Sequence, residues 1–254
     1  MQDLDSRLRH LRLTGIAEAL PARNQEAISN SLAYMDFLAL LVEDELTRRR
    51  DRLFARRIRQ ARLPQLKTLQ DFDWSFNTTI PKALILDLTT TRFVRERAGV
   101  LLVGPPGVGK SHICMALALA AIEAGHTVLY RSAFDLAEDM SEATATGMRK
   151  ELVRQLGRVD LLCIDDLGMR TLPASAAEDL LEVVTRRYEG GATIFTSNRP
   201  LEDWGKVLGD NAAAGALLDR FLHHAEIIKI QGKSYRMHDR QRQRSPASLT
   251  SQAN

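Results

Sequence analysis

Residues 100–112 read VLLVGPPGVGKSH. An apolar run (100–103) enters a glycine- and proline-rich turn, and a helical pattern leaves it (113–123). Within the turn, GPPGVGKS (104–111) has the spacing G-x-x-x-x-G-K-[ST], and a strand before it with a helix after it is the context that motif needs to cradle phosphate. Each residue type has a physical reason. Gly107 and Gly109 allow backbone conformations that a Cβ obstructs, so successive N–H groups converge on phosphate oxygens. The helix opening at Lys110 adds the positive end of its dipole. Lys110 supplies a full charge to the β and γ phosphates, and the Ser111 hydroxyl suits Mg2+. Gly104, Pro105, Pro106, Gly107, Val108, Gly109, Lys110, Ser111 and the following His112 are thus the expected ATP contacts.

Two further strand ends fit the same chemistry. DLLCIDD (160–166) is a buried apolar run that finishes in two carboxylates. Asp165 is placed to hold Mg2+, commonly through its water shell. Asp166 is placed to orient and polarise the attacking water. TIFTSN (193–198) ends in Thr196, Ser197 and Asn198, and an amide there reaches toward a γ-phosphate and the attacking water. The same Ser-Asn-Arg-Pro run is also a turn former.

Outward from these strands, apolar runs at 127–131, 159–164, 192–196 and 226–230 alternate with helical patterns at 133–157 (two pieces, parted near Gly147), 175–188 and 215–223. Strands alternating with helices of ten or more residues predict an α/β fold, a parallel sheet covered by helices on both faces. Only 24 residues follow Ile230, so no helical lid domain is expected.

The first 67 residues read as a small helical, basic domain. Leu4, Leu8, Leu11, Ile16 and Leu20 recur at helical spacing, with a break expected at Pro21. A longer stripe follows in Met35, Leu38, Leu41, Val42, Leu46, Leu53, Phe54 and Ile58, ending before Pro64. Residues 68–98 read as a connector, with Pro81, Thr89–Thr91 and an aromatic cluster of Phe72, Trp74 and Phe76 suited to docking the appendage. Residues 99–237 form the nucleotide-binding domain, and 238–254 a polar tail expected to be disordered.

Charge is unevenly spread. Residues 1–67 hold 13 Lys/Arg against 9 Asp/Glu, and 229–254 hold 6 against 1, so a net charge of +3 conceals basic ends around an acidic middle. That asymmetry points to a polyanionic partner. The stretch 48–62, RRRDRLFARRIRQAR, carries eight arginines. Arg48, Arg49, Arg52, Arg56, Arg57 and Arg59 are candidate phosphate-backbone contacts, with Arg149 and Lys150 as a second group. A solvated basic face paired with Glu43 and Asp44 is the alternative reading of the first group, and a plain surface helix that of the second. Cys114 and Cys163 both fall in apolar runs, so they read as small buried hydrophobes with no metal spacing or disulfide framework. No run of about eighteen apolar residues suits a membrane span, and a reducing cytoplasm is the expected location.

The chain resembles the AAA+ ATPases, and more closely the IstB-like transposition helper ATPases and the related DnaC-type helicase loaders. The likeness rests on RLRHLRLTGIAEAL, ARRIRQARLP, TLQDFDW, LLVGPPGVGKSH, VDLLCIDDLG, GALLDRFLHHAEIIKI and GKSYR. It implies that Lys110 and Ser111 are Walker A residues, Asp165 and Asp166 Walker B, and Asn198 the sensor. It implies that Arg220 in LLDRF is an arginine finger acting on the ATP of a neighbouring subunit, with Arg186 and Arg187 as rivals, and that Arg236 is a second phosphate sensor. The second Walker B acid is Asp rather than the usual Glu, which suggests slow hydrolysis. The implied function is ATP-dependent assembly of a homo-oligomer on double-stranded DNA, with recruitment of a transposase. A helicase loader acting on single-stranded DNA is the alternative. A small-molecule phosphotransferase and a DNA scaffold glued by ATP are more distant readings.

Overall fold

The computed structural model describes residues 2–170, 172–173, 175–235 and 237–238. The chain divides into two compact units, Met1–Arg57 and Ile58–Asn254. The division falls inside a helix rather than after Lys67.

The first unit is built from α1 (Gln2–His10), α2 (Thr14–Asn30) and the greater part of α3 (Tyr34–Ala61). Pro21 does not end a helix; it lies within α2. A proline in a helix interior removes one hydrogen bond. The breaks fall instead near Arg12 and Ser31, both with left-handed φ (60° and 49°). The N-terminus of α2 has no side-chain cap of its own. Glu45 of α3 takes that role, accepting from the N–H groups of Gly15 (2.6 Å) and Ile16 (3.2 Å). Gly15 is required there, because a Cβ would come within 2.7 Å of the Glu45 backbone. Burial alone would raise the Glu45 carboxyl, but Arg49 and the two N–H groups hold it below its ordinary value. The expected apolar stripe of α3 is only partly inward. Leu41 is buried, whereas Met35 (74% exposed), Leu38, Val42, Leu46 and Phe54 face outward.

The second unit runs through α4 (Lys82–Leu88), α5 (Arg92–Arg95), β1 (Gly99–Val103), α6 (Lys110–Glu123), β2 (Val128–Ser132), α7 (Ala133–Ala145), α8 (Arg149–Arg158), β3 (Leu161–Leu167), α9 (Ala176–Arg187), β4 (Ala192–Ser197), α10 (Trp204–Leu208), α11 (Asn211–Leu222) and β5 (Ala225–Lys229). The five strands form one sheet in the order β2-β3-β4-β1-β5, every pair parallel. Side chains alternate across a strand, and the two cores follow that parity. Val100, Leu102, Leu161, Cys163 and Ile194 pack with α6 on one face. Leu101, Leu162, Ile164 and Phe195 pack with α7–α11 on the other. Burying both faces explains why these strands read as continuous apolar runs.

Residues 68–98 are more than a connector. Ile85, Leu88, Phe93 and Val94, from α4 and α5, are buried in the α6-side core. Their helices are short, so periodicity is weak and the Pro81 and threonine punctuation dominates. The five-residue α10, too short to carry a periodic signal, buries Trp204 fully against Phe195 at 5.6 Å. The expected disordered tail falls almost wholly outside the described residues.

Candidate nucleotide site

The phosphate loop leaves β1 and turns into α6 through Gly107 (φ 81°) and Gly109 (φ 104°). Both left-handed values favour glycine. The first amides of α6 therefore open toward the loop, as an anion site requires. Lys110 is buried at the helix start, and its Nζ donates to the carbonyls of Gly104 (2.8 Å) and Pro105 (2.9 Å). Val108 is buried as an anchor. His112 Nε2 contacts the Thr68 carbonyl at 2.8 Å, and its ring stands edge-on to Phe72 at 5.1 Å.

Strand parity places Asp165 on the α6 face, where its Oδ1 accepts from Ser111 Oγ at 3.1 Å. Asp165 is 2% exposed. Its carboxylate also accepts from the hydroxyls of Tyr130 on β2 and Thr196 on β4. Burial, then the Asp165 charge, push the Tyr130 phenol well above its ordinary value, so it stays a donor. Asp166 does not continue the ladder. The β3–β4 register shifts between Ile164 and Leu167, and Asp166 takes φ 60°. Its N–H donates to Thr196 Oγ1 at 2.9 Å. The bulge sends Asp166 into the cavity instead of the core. Asp and Asn tolerate left-handed φ better than longer side chains, which gives a local reason for Asp here.

The loop and Asp166 border a cavity of about 450 Å³. Gly107, Lys110, Ser111 and Asp166 form its polar end, and Phe72, Phe76, Met115 and Tyr235 its apolar walls. A phosphate-binding end beside aromatic walls suits a phosphate-bearing ligand with a ring system. Ser111 Oγ and the Asp165 carboxylate are hard oxygen donors of the kind Mg2+ takes, so the residues present fit the ion. Of the aromatic cluster, Phe72 and Trp74 pack against the α6-side core, and Phe72 and Phe76 line this cavity. Phe76 meets Tyr235 at 5.1 Å, which ties residues far apart in sequence to one wall. Tyr130 and Thr196 were also missed, although β parity places both on the Asp165 face.

Other candidates fare differently. Asn198 does not line this cavity. It borders a neighbouring one with Gly104 and Pro105, and its Nδ2 points at the Met169 sulfur at 3.0 Å. Arg220 is exposed and donates to the Ala216 carbonyl of its own helix at 3.3 Å. Arg187 is excluded as a finger. It is 2% exposed and donates to Thr193 Oγ1 and to the carbonyls of Leu156, Val159 and Ala192, and burial lowers it to about 10. Arg186 pairs with Glu182 at 3.0 Å. Arg236 lies outside the described residues. Cys114 and Cys163 are both buried and free; the Cys163 neighbour and burial hold the Cys114 thiol well above its ordinary value.

Among the basic residues, Arg149 is tethered: its guanidinium pairs with Asp179 (2.8 Å) and Glu182 (2.5 Å) on α9. Arg48 pairs with Glu18, and Arg49 with Glu45 at 2.7 Å. Arg52, Arg56, Arg59 and Lys150 are exposed, and Arg57 is half-buried. Among the described residues, none of these five is in an ion pair within 4.0 Å. No helix among the described residues is long and apolar enough to cross a membrane.

The loop, the acidic strand end and the β2-β3-β4-β1-β5 sheet define a P-loop AAA+ fold. The DnaC helicase loader superposes with a TM-score of 0.51 at 22% identity, over 61% of this chain and 91% of that one. AMPPCP-bound DnaA from Aquifex aeolicus superposes with a TM-score of 0.57 at 22% identity, over 72% of this chain and about half (56%) of DnaA. The chain belongs to the IstB-like ATP binding protein family, whose model matches residues 6–243. It is 33% identical to an insertion sequence IS21 ATP-binding protein from Pseudomonas aeruginosa, over 95% of this chain and 91% of the relative. It is 32% identical to its counterpart of insertion sequence IS5376 from Geobacillus stearothermophilus, over 92% and 93%.

Proposed function

We propose that this protein is an Mg2+-dependent ATPase that serves transposition, assembling as a homo-oligomer on double-stranded DNA and recruiting a transposase. The observation that carries the reading is the cavity in which Lys110, the Ser111–Asp165 pair and Asp166 converge, in a chain whose relatives belong to insertion sequences. When bound, Mg2+ would offset phosphate charge, held by Ser111 and Asp165. Lys110 exchanges its loop carbonyls for phosphate oxygens. Asp166 accepts the proton of the attacking water. Asn198 is assigned the sensor position and Arg220 the finger, reaching from a neighbouring subunit. Hydrolysis would then disassemble the oligomer.

Electron microscopy of the protein with ATP, with and without duplex DNA, tests this. ATP-dependent oligomers on duplex are expected. A protein that binds ATP yet stays monomeric on DNA sinks the assembly. The likeness to the DnaC loader favours a second reading, helicase loading on single strands. Competition between duplex and single-stranded DNA separates the two, and single-strand preference with capture of a helicase would favour loading.

A further inference from the structure

Two hydroxyls that do not themselves line the cavity hold the acids of the site. Thr196 is wholly buried in β4. Its Oγ1 donates to Asp165 Oδ1 and accepts from the Asp166 N–H at 2.9 Å. One atom therefore bonds both acids, at the point where the β3–β4 register slips. On the other side of Asp165, the buried Tyr130 hydroxyl takes Oδ2. The carboxylate is gripped from β2 and β4, which leaves its plane no freedom to turn from Ser111. The Asp166 N–H has lost its ladder partner to the bulge, and Thr196 replaces that partner.

We propose that Thr196, assisted by Tyr130, is a positioning residue that aims Asp165 at the magnesium position and fixes Asp166 in the left-handed conformation that presents it to the cavity. The inference rests on the Mg2+-ATP reading of the site. Partners that orient a metal ligand are commonly worth about 10–100-fold in metal affinity. A threonine suits the task because its hydroxyl is both donor and acceptor, whereas valine of the same shape is neither.

The test uses the full chain and a fluorescent ATP analogue, with binding titrated against Mg2+. Thr196→Val is expected to need about 10–100-fold more Mg2+ for half-maximal tightening. Binding measured in EDTA should stay near that of the parent. Thr196→Ser, which keeps the hydroxyl, should restore the parental requirement. Tyr130→Phe should shift the Mg2+ requirement in the same direction, and serves as an independent arm if Thr196→Val fails to fold. A magnesium-responsive parent matched by Thr196→Val and Tyr130→Phe would overturn the inference alone. A parent whose nucleotide binding ignored Mg2+ would overturn the underlying reading, and this inference with it.

Discussion

The backbone N–H of Tyr235 donates to the carbonyl of Gly107 at 2.9 Å, which fastens the segment after β5 to the middle of the phosphate loop. The approach is close enough that a Cβ on Gly107 would lie 2.9 Å from Ser234 Cβ. Gly107 also holds φ 81°. Gly107→Ala therefore meets two obstacles at once, a left-handed backbone and the Ser234 chain. Left-handed φ costs a non-glycine residue about 1 kcal/mol or more. The variant should unfold at lower temperature and lose ATP affinity together, as read by calorimetric melting and nucleotide titration. Unchanged affinity would show that the contact does not shape the loop.

Lys110 donates to two loop carbonyls, so its removal should separate stability from ligand binding. At ATP about 100 times its Kd, the parent should gain about 2.7 kcal/mol of stability. Lys110→Ala should show almost none of that gain. A thermal shift with ATP equal to the parental one would remove Lys110 from the phosphate site.

Asp166 sits at φ 60° in a bulge. Asn tolerates that conformation as Asp does, so Asp166→Asn should melt near the parent and still bind ATP. Its turnover should fall about 10²–10⁴-fold, the usual worth of a positioned base. Asp166→Glu lengthens the side chain where longer residues are rarer, and should melt lower. Equal turnover in parent and Asp166→Asn would favour ATP as glue between subunits.

The arginines divide into tethered and open groups. Arg52 and Arg56 lie four residues apart on α3 and are both exposed. Removing both should weaken duplex binding and flatten the plot of log K against log salt by about 1.8, at about 0.9 per phosphate contact. Arg149→Ala should leave that slope unchanged but lower stability by about 1–3 kcal/mol, since the buried Asp179 loses its guanidinium partner. A slope that responded to Arg149 instead would reverse the assignment.

The contrast between Arg149 and Arg52 shows where sequence reading stops. Both are arginines on amphipathic helices, and nothing local distinguishes them. Arg149 is neutralised by Asp179 and Glu182, about thirty residues away in the chain. The loop, by contrast, was legible because its chemistry is contiguous: three glycines, a lysine and a serine within eight residues. The parallel sheet was legible because burial on both faces leaves unbroken apolar runs. Asp165 was recognised, but its grip by Tyr130 and Thr196 spans three strands and depends on register. The apolar wall joins Phe76 to Tyr235 across almost the whole unit, which no periodicity reports. Pro21 misled because its rule describes a cost, and α2 absorbs that cost.

Arg220 offers the sharpest test of assembly. It is exposed at the last turn of α11, does not line the cavity holding Lys110, and among the described residues bonds only the Ala216 carbonyl. The proposed function therefore assigns it to the nucleotide of a neighbouring chain. Arg220→Ala should therefore bind ATP normally and lose turnover, by up to about 10³–10⁵-fold if it acts as a full finger. Lys110→Ala should fail for the opposite reason, keeping its finger but lacking its own ATP. Mixed in equal amounts, the two inactive proteins should regain activity. Some interfaces then pair an intact loop from one chain with an intact arginine from the other. A mixture as inactive as its parts, under conditions in which the two variants demonstrably co-assemble, would place the arginine's work within its own chain.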